Sequence, residues 1–237
     1  MMNINVIPAV DLIGGKCVRL TQGDYAQQKV YSEDPLDMAR RFEDAGASRL
    51  HLVDLDGAKA SEPRNLKVLE SIASGTRLTV EFGGGIKSSA SLRAVLDAGA
   101  SYAICGSIAV TDPDLCRSWL EEYGSKVILG IDLKNGKVAT RGWLDTSVVT
   151  ADQVLDLYGP LVSEAIVTEI SHDGMLQGVD VDFYRQLQNR YPEVGIVVSG
   201  GVSSIEDLRA LSAAGLKAAI VGKAIYENKV SLADLFL

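Results

Sequence analysis

The strongest constraint on the fold is an internal repeat. Gly84-Gly85 recurs as Gly200-Gly201, 116 positions on, and its surroundings recur with it. At the same offset Leu92-Arg93-Ala94 meets Leu208-Arg209-Ala210, Ala98-Gly99 meets Ala214-Gly215, Ala103-Ile104 meets Ala219-Ile220, and Gly106 meets Gly222. Earlier in each half, Asp11-Leu12-x-x-Gly15-Lys16 returns as Asp132-Leu133-x-x-Gly136-Lys137, 121 positions on. Asp56-Gly57 returns as Asp173-Gly174, 117 positions on. The drift of a few residues is what loop-length changes produce, so the chain reads as two homologous halves.

Each half contains four short apolar runs separated by amphipathic stretches. Val6–Val10, Arg49–Asp54, Leu78–Phe82, Tyr102–Cys105, Val127–Asp132, Ala165–Thr168, Gly195–Ser199 and Ala218–Val221 read as buried parallel strands. Helices are expected at Asp34–Ala45, Asn65–Ser74, Ser89–Ala98, Asp112–Tyr123, Ala151–Tyr158, Asp182–Tyr191, Ile205–Ala214 and Ser231–Leu237. Asp34-Pro35 and Asp112-Pro113 supply an N-cap with proline in the first turn, and Gly46, Gly99, Gly124 and Gly215 supply stops. Eight such units in two halves predict an α/β fold, a closed (βα)8 TIM barrel built from two half-barrels. The length of 237 residues would allow one domain or two, but no Pro/Ser-rich linker divides the halves. One domain over 1–237 is expected, with half-barrels at approximately 1–123 and 124–237.

The functional end of such a barrel is the C-terminal mouth of its strands. The repeat sends Asp11 and Asp132 there, on the first and fifth strands, which face one another across an eight-stranded ring. Two opposed carboxylates can serve one reacting centre as acid and base, although aspartate at a strand end also caps turns. Gly84 and Gly85 with Gly106 and Ser107 form one glycine-rich pair of loops, and Gly200 and Gly201 with Gly222 and Lys223 form another. Glycines ahead of helix starts let backbone N–H groups approach an anion, and they also serve plain tight turns. Two such pairs predict a small-molecule substrate with a phosphate at each end. Thr168, Asp173, Gly174, Arg19 and Trp143 lie on segments pointing at the same mouth: a hydroxyl to orient a carboxylate, loop groups near a phosphate, a cation, and a ring able to close over a planar ligand. His51 is read as packing at the start of its strand, away from the mouth. His172 has only its place beside Asp173 to recommend it. Cys17 and Cys105 are expected near the mouth, without a histidine base to activate them, and Cys116 inside a helix.

Charge and composition bound the partners. The net charge of −8 argues against nucleic acid and anionic membrane, so any anion must be held by local structure. No apolar run is long enough to span a bilayer, and the first eleven residues lack the pattern of a secretory signal. Three scattered cysteines and two histidines offer no disulfide framework and no metal centre, which fits a reducing cytoplasm.

The motifs together resemble the HisA family of histidine-biosynthesis isomerases. The resemblance is carried by Pro8-Ala9-Val10-Asp11-Leu12, Gly15-Lys16-Cys17-Val18-Arg19-Leu20, Gln22-Gly23-Asp24-Tyr25 and His51-Leu52-Val53-Asp54-Leu55-Asp56-Gly57-Ala58. It continues through Gly83-Gly84-Gly85-Ile86, Gly130-Ile131-Asp132, Arg141-Gly142-Trp143 and Asp173-Gly174-Met175-Leu176-Gln177-Gly178, to Ser199-Gly200-Gly201-Val202 and Val221-Gly222-Lys223-Ala224. It implies an Amadori rearrangement of a ribotide with two phosphates, with Asp11 as general base, Asp132 as general acid and Thr168 as the family's strand-six threonine. It implies no metal, no organic cofactor and no obligatory protein partner. Glu169 stands where many members have aspartate and is expected to point away from the mouth. Two related functions share much of this pattern: a bifunctional isomerase that also takes phosphoribosylanthranilate, and the sister cyclase subunit, whose opening motif differs from Ala9-Val10-Asp11. A non-catalytic barrel that binds phosphometabolites is a further alternative, against which both aspartates speak.

Overall fold

The computed structural model describes residues 3–21, 24–140, 143 and 145–236. Twelve strands are numbered in chain order: β1 (Asn5–Ile13), β2 (Lys16–Thr21), β3 (Asp24–Ser32), β4 (Arg49–Asp54), β5 (Thr79–Gly83), β6 (Tyr102–Cys105), β7 (Val127–Lys134), β8 (Lys137–Thr140), β9 (Asp145–Thr146), β10 (Glu164–Glu169), β11 (Gly195–Ser199) and β12 (Ala218–Val221). Eight of them, β1, β4, β5, β6, β7, β10, β11 and β12, pair in parallel in that order, and β12 pairs back onto β1. The sheet is therefore a closed barrel with helices between its strands, as the repeat predicts. No helix among the described residues is long and apolar enough to cross a membrane.

Strand alternation divides the core in two. Leu50 and Leu52 of β4, Val80 and Phe82 of β5, and Val127 and Leu129 of β7 point outward and pack beneath the helices. Ile7, Ala9, Ile104, Ile128, Ile166, Val197 and Ile220 point inward and fill the barrel. Cys17 and Cys105 belong to the outer layer, with Cys116, so neither cysteine reaches the mouth as expected. Cys105 lies one residue from the inward-facing Ile104, and alternation turns it toward the helices.

Local sequence sets the helix limits. Asp34 caps Pro35–Asp44 by accepting from the Leu36 and Asp37 amides at 3.0 and 3.1 Å, an arrangement worth about 1 kcal/mol. Ser88 and Ser204 begin the helices Ser89–Asp97 and Ile205–Ala213 with capping boxes closed by Ser91 and Asp207. The C-terminal helix is shorter than expected, Leu232–Leu235.

Two features depart from the sequence reading. Short helices, Leu55–Ala60, Ile108–Thr111 and Lys223–Tyr226, follow β4, β6 and β12 directly. And β1 does not stop at Asp11. It continues to Ile13, turns at Gly14-Gly15 with φ of 57° and 76°, and pairs antiparallel with β2, which pairs with β3. Positive φ at both central residues is what a two-residue hairpin turn requires. In the second half, β7 likewise runs past Asp132 to Lys134 and folds back through β8.

Candidate active site

A cavity of about 470 Å³ opens at the C-terminal mouth of the barrel. Asp11, Arg19, Gly84, Gly85, Gly106, Ser107, Asp132, Trp143, Thr168, Asp173, Gly174, Gly200, Gly201, Gly222 and Lys223, all marked out by the sequence, line it. His172 and Glu169 do not; Glu169 accepts from the Ser171 hydroxyl at 2.8 Å. Gln22, Gly23, Arg141 and Gly142 of the sequence motifs lie outside the described residues.

The two carboxylates have different company. The β1–β2 hairpin sets Val18 opposite Asp11 and carries Arg19 back over the mouth, where its Nη1 donates to Asp11 Oδ2 at 2.9 Å. Both side chains are largely buried, 10% and 16% exposed. Gly222 makes room for this arginine, because a Cβ there would meet its Nη2 at 2.3 Å. Asp132 faces neutral donors. Trp143, at a φ of 72°, donates its indole N–H to Oδ2 at 2.8 Å, and the Thr168 hydroxyl, in register beside it on β10, donates as well. Burial raises both carboxyls above the usual range. At Asp11 the full charge of Arg19 is the main opposition to the rise; at Asp132 the indole and hydroxyl are, and His51 adds a smaller pull at both. Asp173 raises both. Asp11 thus has beside it a formal positive charge that favours its ionised form, and Asp132 has neutral donors in that place.

The glycine loops are built alike in both halves. Gly84, Gly85, Gly200 and Gly201 all have φ between 81° and 111°. A Cβ would lie 2.1 Å from the Asp54 carbonyl at Gly84, 2.6 Å from the Gly57 carbonyl at Gly85, 2.8 Å from the Glu169 carbonyl at Gly200 and 2.4 Å from the Gly178 carbonyl at Gly201. These glycines are required by the backbone itself, before any ligand is considered. The loop behind Gly84 is fixed by Asp54, whose carboxylate accepts from the Gly57, Arg64 and Asn65 amides and the Asn65 side chain at 2.6–2.8 Å. Asp56, the repeat equivalent of Asp173, accepts from the Gly14 amide at 2.7 Å and pins the hairpin turn, whereas Asp173 lines the cavity.

The capping boxes leave a distinction between helix starts. Ser88 and Ser204 satisfy their own helices, while the starts after β6 and β12, at Ser107 and Gly222, carry no side-chain cap and open onto the cavity. One lysine stands at each. Lys223 follows Gly222 and donates to the Gly174 carbonyl at 2.7 Å. Lys87, after β5, reaches the Ser107 hydroxyl, and burial lowers its ammonium below the usual lysine range. Lys87 did not emerge from the sequence. Its repeat equivalent is Ser203, and that of Lys223 is Ser107, so the cation changes loop between halves and a search for identities passes over it. His51 was also missed. It is the third residue of β4, points inward, lines the cavity floor and bonds through Nδ1 to Glu81 Oε1 at 2.6 Å. The signal was the alternation Arg49-Leu50-His51-Leu52, with polar residues inward and leucines outward.

The whole chain is similar to known proteins. A family model described as "Histidine biosynthesis protein" matches residues 5–231. The chain is 49% identical, over 98% of each chain, to the 1-(5-phosphoribosyl)-5-((5-phosphoribosylamino)methylideneamino)imidazole-4-carboxamide isomerase of Parabacteroides distasonis. It is 46% identical, over 98% of each, to the isomerase of the same name from Cytophaga hutchinsonii. To that from Synechocystis sp. it is 44% identical over 98% of this chain and 91% of the relative. With a match that spans nearly the whole barrel, the chain belongs to the histidine biosynthesis family, among its imidazole-carboxamide ribotide isomerases.

Proposed function

We propose that this barrel is the aldose–ketose isomerase its relatives are named for, acting on the doubly phosphorylated imidazole-carboxamide ribotide by an Amadori rearrangement. The observation that carries the reading is the pair of unequal carboxylates, Asp11 against Arg19 and Asp132 against Trp143 and Thr168, between two lysine-bearing glycine loops. Asp132 protonates the furanose ring oxygen, and the ring opens to a protonated Schiff base. Asp11, ionised beside Arg19, removes the proton on C2. The enolamine so formed takes a proton at C1 and gives up the one on the C2 hydroxyl, leaving the ketone. C2 is oxidised and C1 reduced within one molecule, so the two carboxylates suffice. Thr168 orients Asp132, and Trp143 holds it from the loop side.

One phosphate is assigned to the Gly84, Gly85, Gly106 and Ser107 amides with Lys87, and the other to Gly174, Gly200, Gly201, Gly222 and Lys223. Backbone N–H groups and one ammonium at each end explain how a chain of net charge −8 takes an anionic substrate. Three unpaired cysteines fit work in the cytoplasm. The test is a direct assay of the purified protein on both ribotides. Conversion of the imidazole ribotide is expected; turnover of phosphoribosylanthranilate alone would overturn the reading.

A further inference from the structure

We propose that His51 is a third polar group of the reaction centre, its ring clamped through Nδ1 by the buried Glu81 so that Nε2 hydrogen-bonds a hydroxyl of the ribose that opens between Asp11 and Asp132. This role presupposes the isomerase chemistry above.

A chain of charged side chains crosses the inside of the barrel. Glu164 of β10 accepts from Arg49 of β4 at 3.1 Å, Arg49 also contacts Glu81 of β5, and Glu81 meets His51 at 2.6 Å. Arg49 stacks on the Tyr102 ring, 4.7 Å from its centroid. Glu81 has no solvent exposure and does not line the cavity, whereas His51, 13% exposed, does. The surrounding layer is otherwise isoleucine, valine and alanine, with Tyr102 at its edge. Burying such a chain costs more than filling the same space with apolar side chains, so a role in stability alone does not account for it. What the chain does is fix one ring. A carboxylate at Nδ1 makes that nitrogen the protonated one and leaves Nε2, the nitrogen without a partner among the described residues, for the cavity.

The position suits the substrate. His51 is in register with Ala9, one inward step below Asp11, and Asp132 stands across the ring. A ligand spanning both glycine loops and placing its reacting carbon between the aspartates lies over this ring. The charged groups around it are Asp11 of β1 and Glu81 of β5 on the flanking strands, Arg49 of β4 and Glu164 of β10 behind Glu81, Asp132 of β7 opposite, Asp173 in the loop after β10, and Arg19 of β2. Burial raises Asp11 and Asp132, and a positive charge on His51 would draw both downward.

The test is steady-state kinetics on the imidazole ribotide between pH 6 and 9, with thermal unfolding of each variant. His51→Ala is expected to lower kcat about tenfold or more at nearly constant KM. His51→Gln should recover part of the loss. Glu81→Gln, which changes nothing in the cavity wall, should lower kcat and alter its pH profile; a merely structural glutamate would leave that profile in place. A His51→Ala enzyme within about twofold of wild-type kcat overturns the proposal. If Glu81→Gln does not fold, imidazole 15N spectra of the wild type decide. The chain has two histidines, so His172→Gln assigns the signals. A protonated Nδ1 on His51 is expected, and a bare Nδ1 refutes the clamp. Absence of turnover in the wild type would instead remove the isomerase reading.

Discussion

Asp11 and Asp132 should respond unequally when their charge is removed. Asp132→Asn takes an ionisable group away from a site where burial and Asp173 raise its pKa, while the amide oxygen can still accept from Trp143 and Thr168. The sign follows from linkage. A carboxyl whose folded pKa exceeds its unfolded value favours folding only while protonated, and that contribution is lost as pH rises through the folded pKa. At pH 7.5 the ionised Asp132 therefore costs stability. Its removal should stabilise by about 0.5–2 kcal/mol, the usual gain from relieving a strained functional site. For a domain of this size each kcal/mol moves Tm by about 2–4 °C. Asp11→Asn removes the partner of Arg19, whose Nε already lacks a hydrogen bond. Breaking a buried pair costs about 3–5 kcal/mol when nothing replaces the carboxylate. Burial and Asp173 raise Asp11 too, so removing its charge carries the same relief, and the lost pairing with Arg19 offsets it; the net change expected is within about 1 kcal/mol of zero. Thermal unfolding at pH 7.5 should place Asp132→Asn above both wild type and Asp11→Asn. The Asp132→Asn gain should shrink as pH falls toward 4, where the wild-type carboxyl takes up its proton. Both variants should lose about 10²–10⁴-fold in kcat. An Asp11→Asn gain equal to that of Asp132→Asn, or an Asp132→Asn gain indifferent to pH, would refute the assignment of unequal environments.

The phosphate and backbone readings can be checked separately. Lys87→Ala and Lys223→Ala should each raise KM about tenfold or more, as loss of a charge-assisted hydrogen bond does, with a smaller change in kcat; an unchanged KM for either would move that phosphate elsewhere. Gly201→Ala should fail to accumulate as folded protein, because its Cβ would lie 2.4 Å from the Gly178 carbonyl, whereas Gly136→Ala, at a φ of 72° with open space around it, should cost only about 1–2 kcal/mol. Equal expression and Tm for the two variants would show that the Gly201 backbone relaxes.

Much of the barrel can be read along the chain. The repeat identifies the eight parallel strands, and alternation explains why Asp11, Asp132 and Thr168 share one mouth. Each of these signals is local, a period, a cap or a stop, so a single stretch of sequence carries it. The β1–β2 hairpin was legible in Gly14-Gly15 between two strand-like runs, but the expectation that Asp11 ends its strand hid it. Treating the strands as uniformly buried also hid His51 and Glu81, whose inward alternation is the mark of a polar barrel interior.

The sequence by itself determined the eight-stranded barrel, the glycine turns and the residues that meet at the mouth, because hydrophobic period and backbone conformation are properties of neighbouring residues. Only the tertiary structure decided which carboxylate keeps company with a charge. Arg19 reaches Asp11 through the hairpin, and Trp143 reaches Asp132 through the opposite loop. Arg49 and Glu164, 115 positions apart, meet only when the eighth strand closes onto the first. Electrostatic character at a buried site depends on distances across the ring, and those are fixed by register and closure rather than by any segment alone.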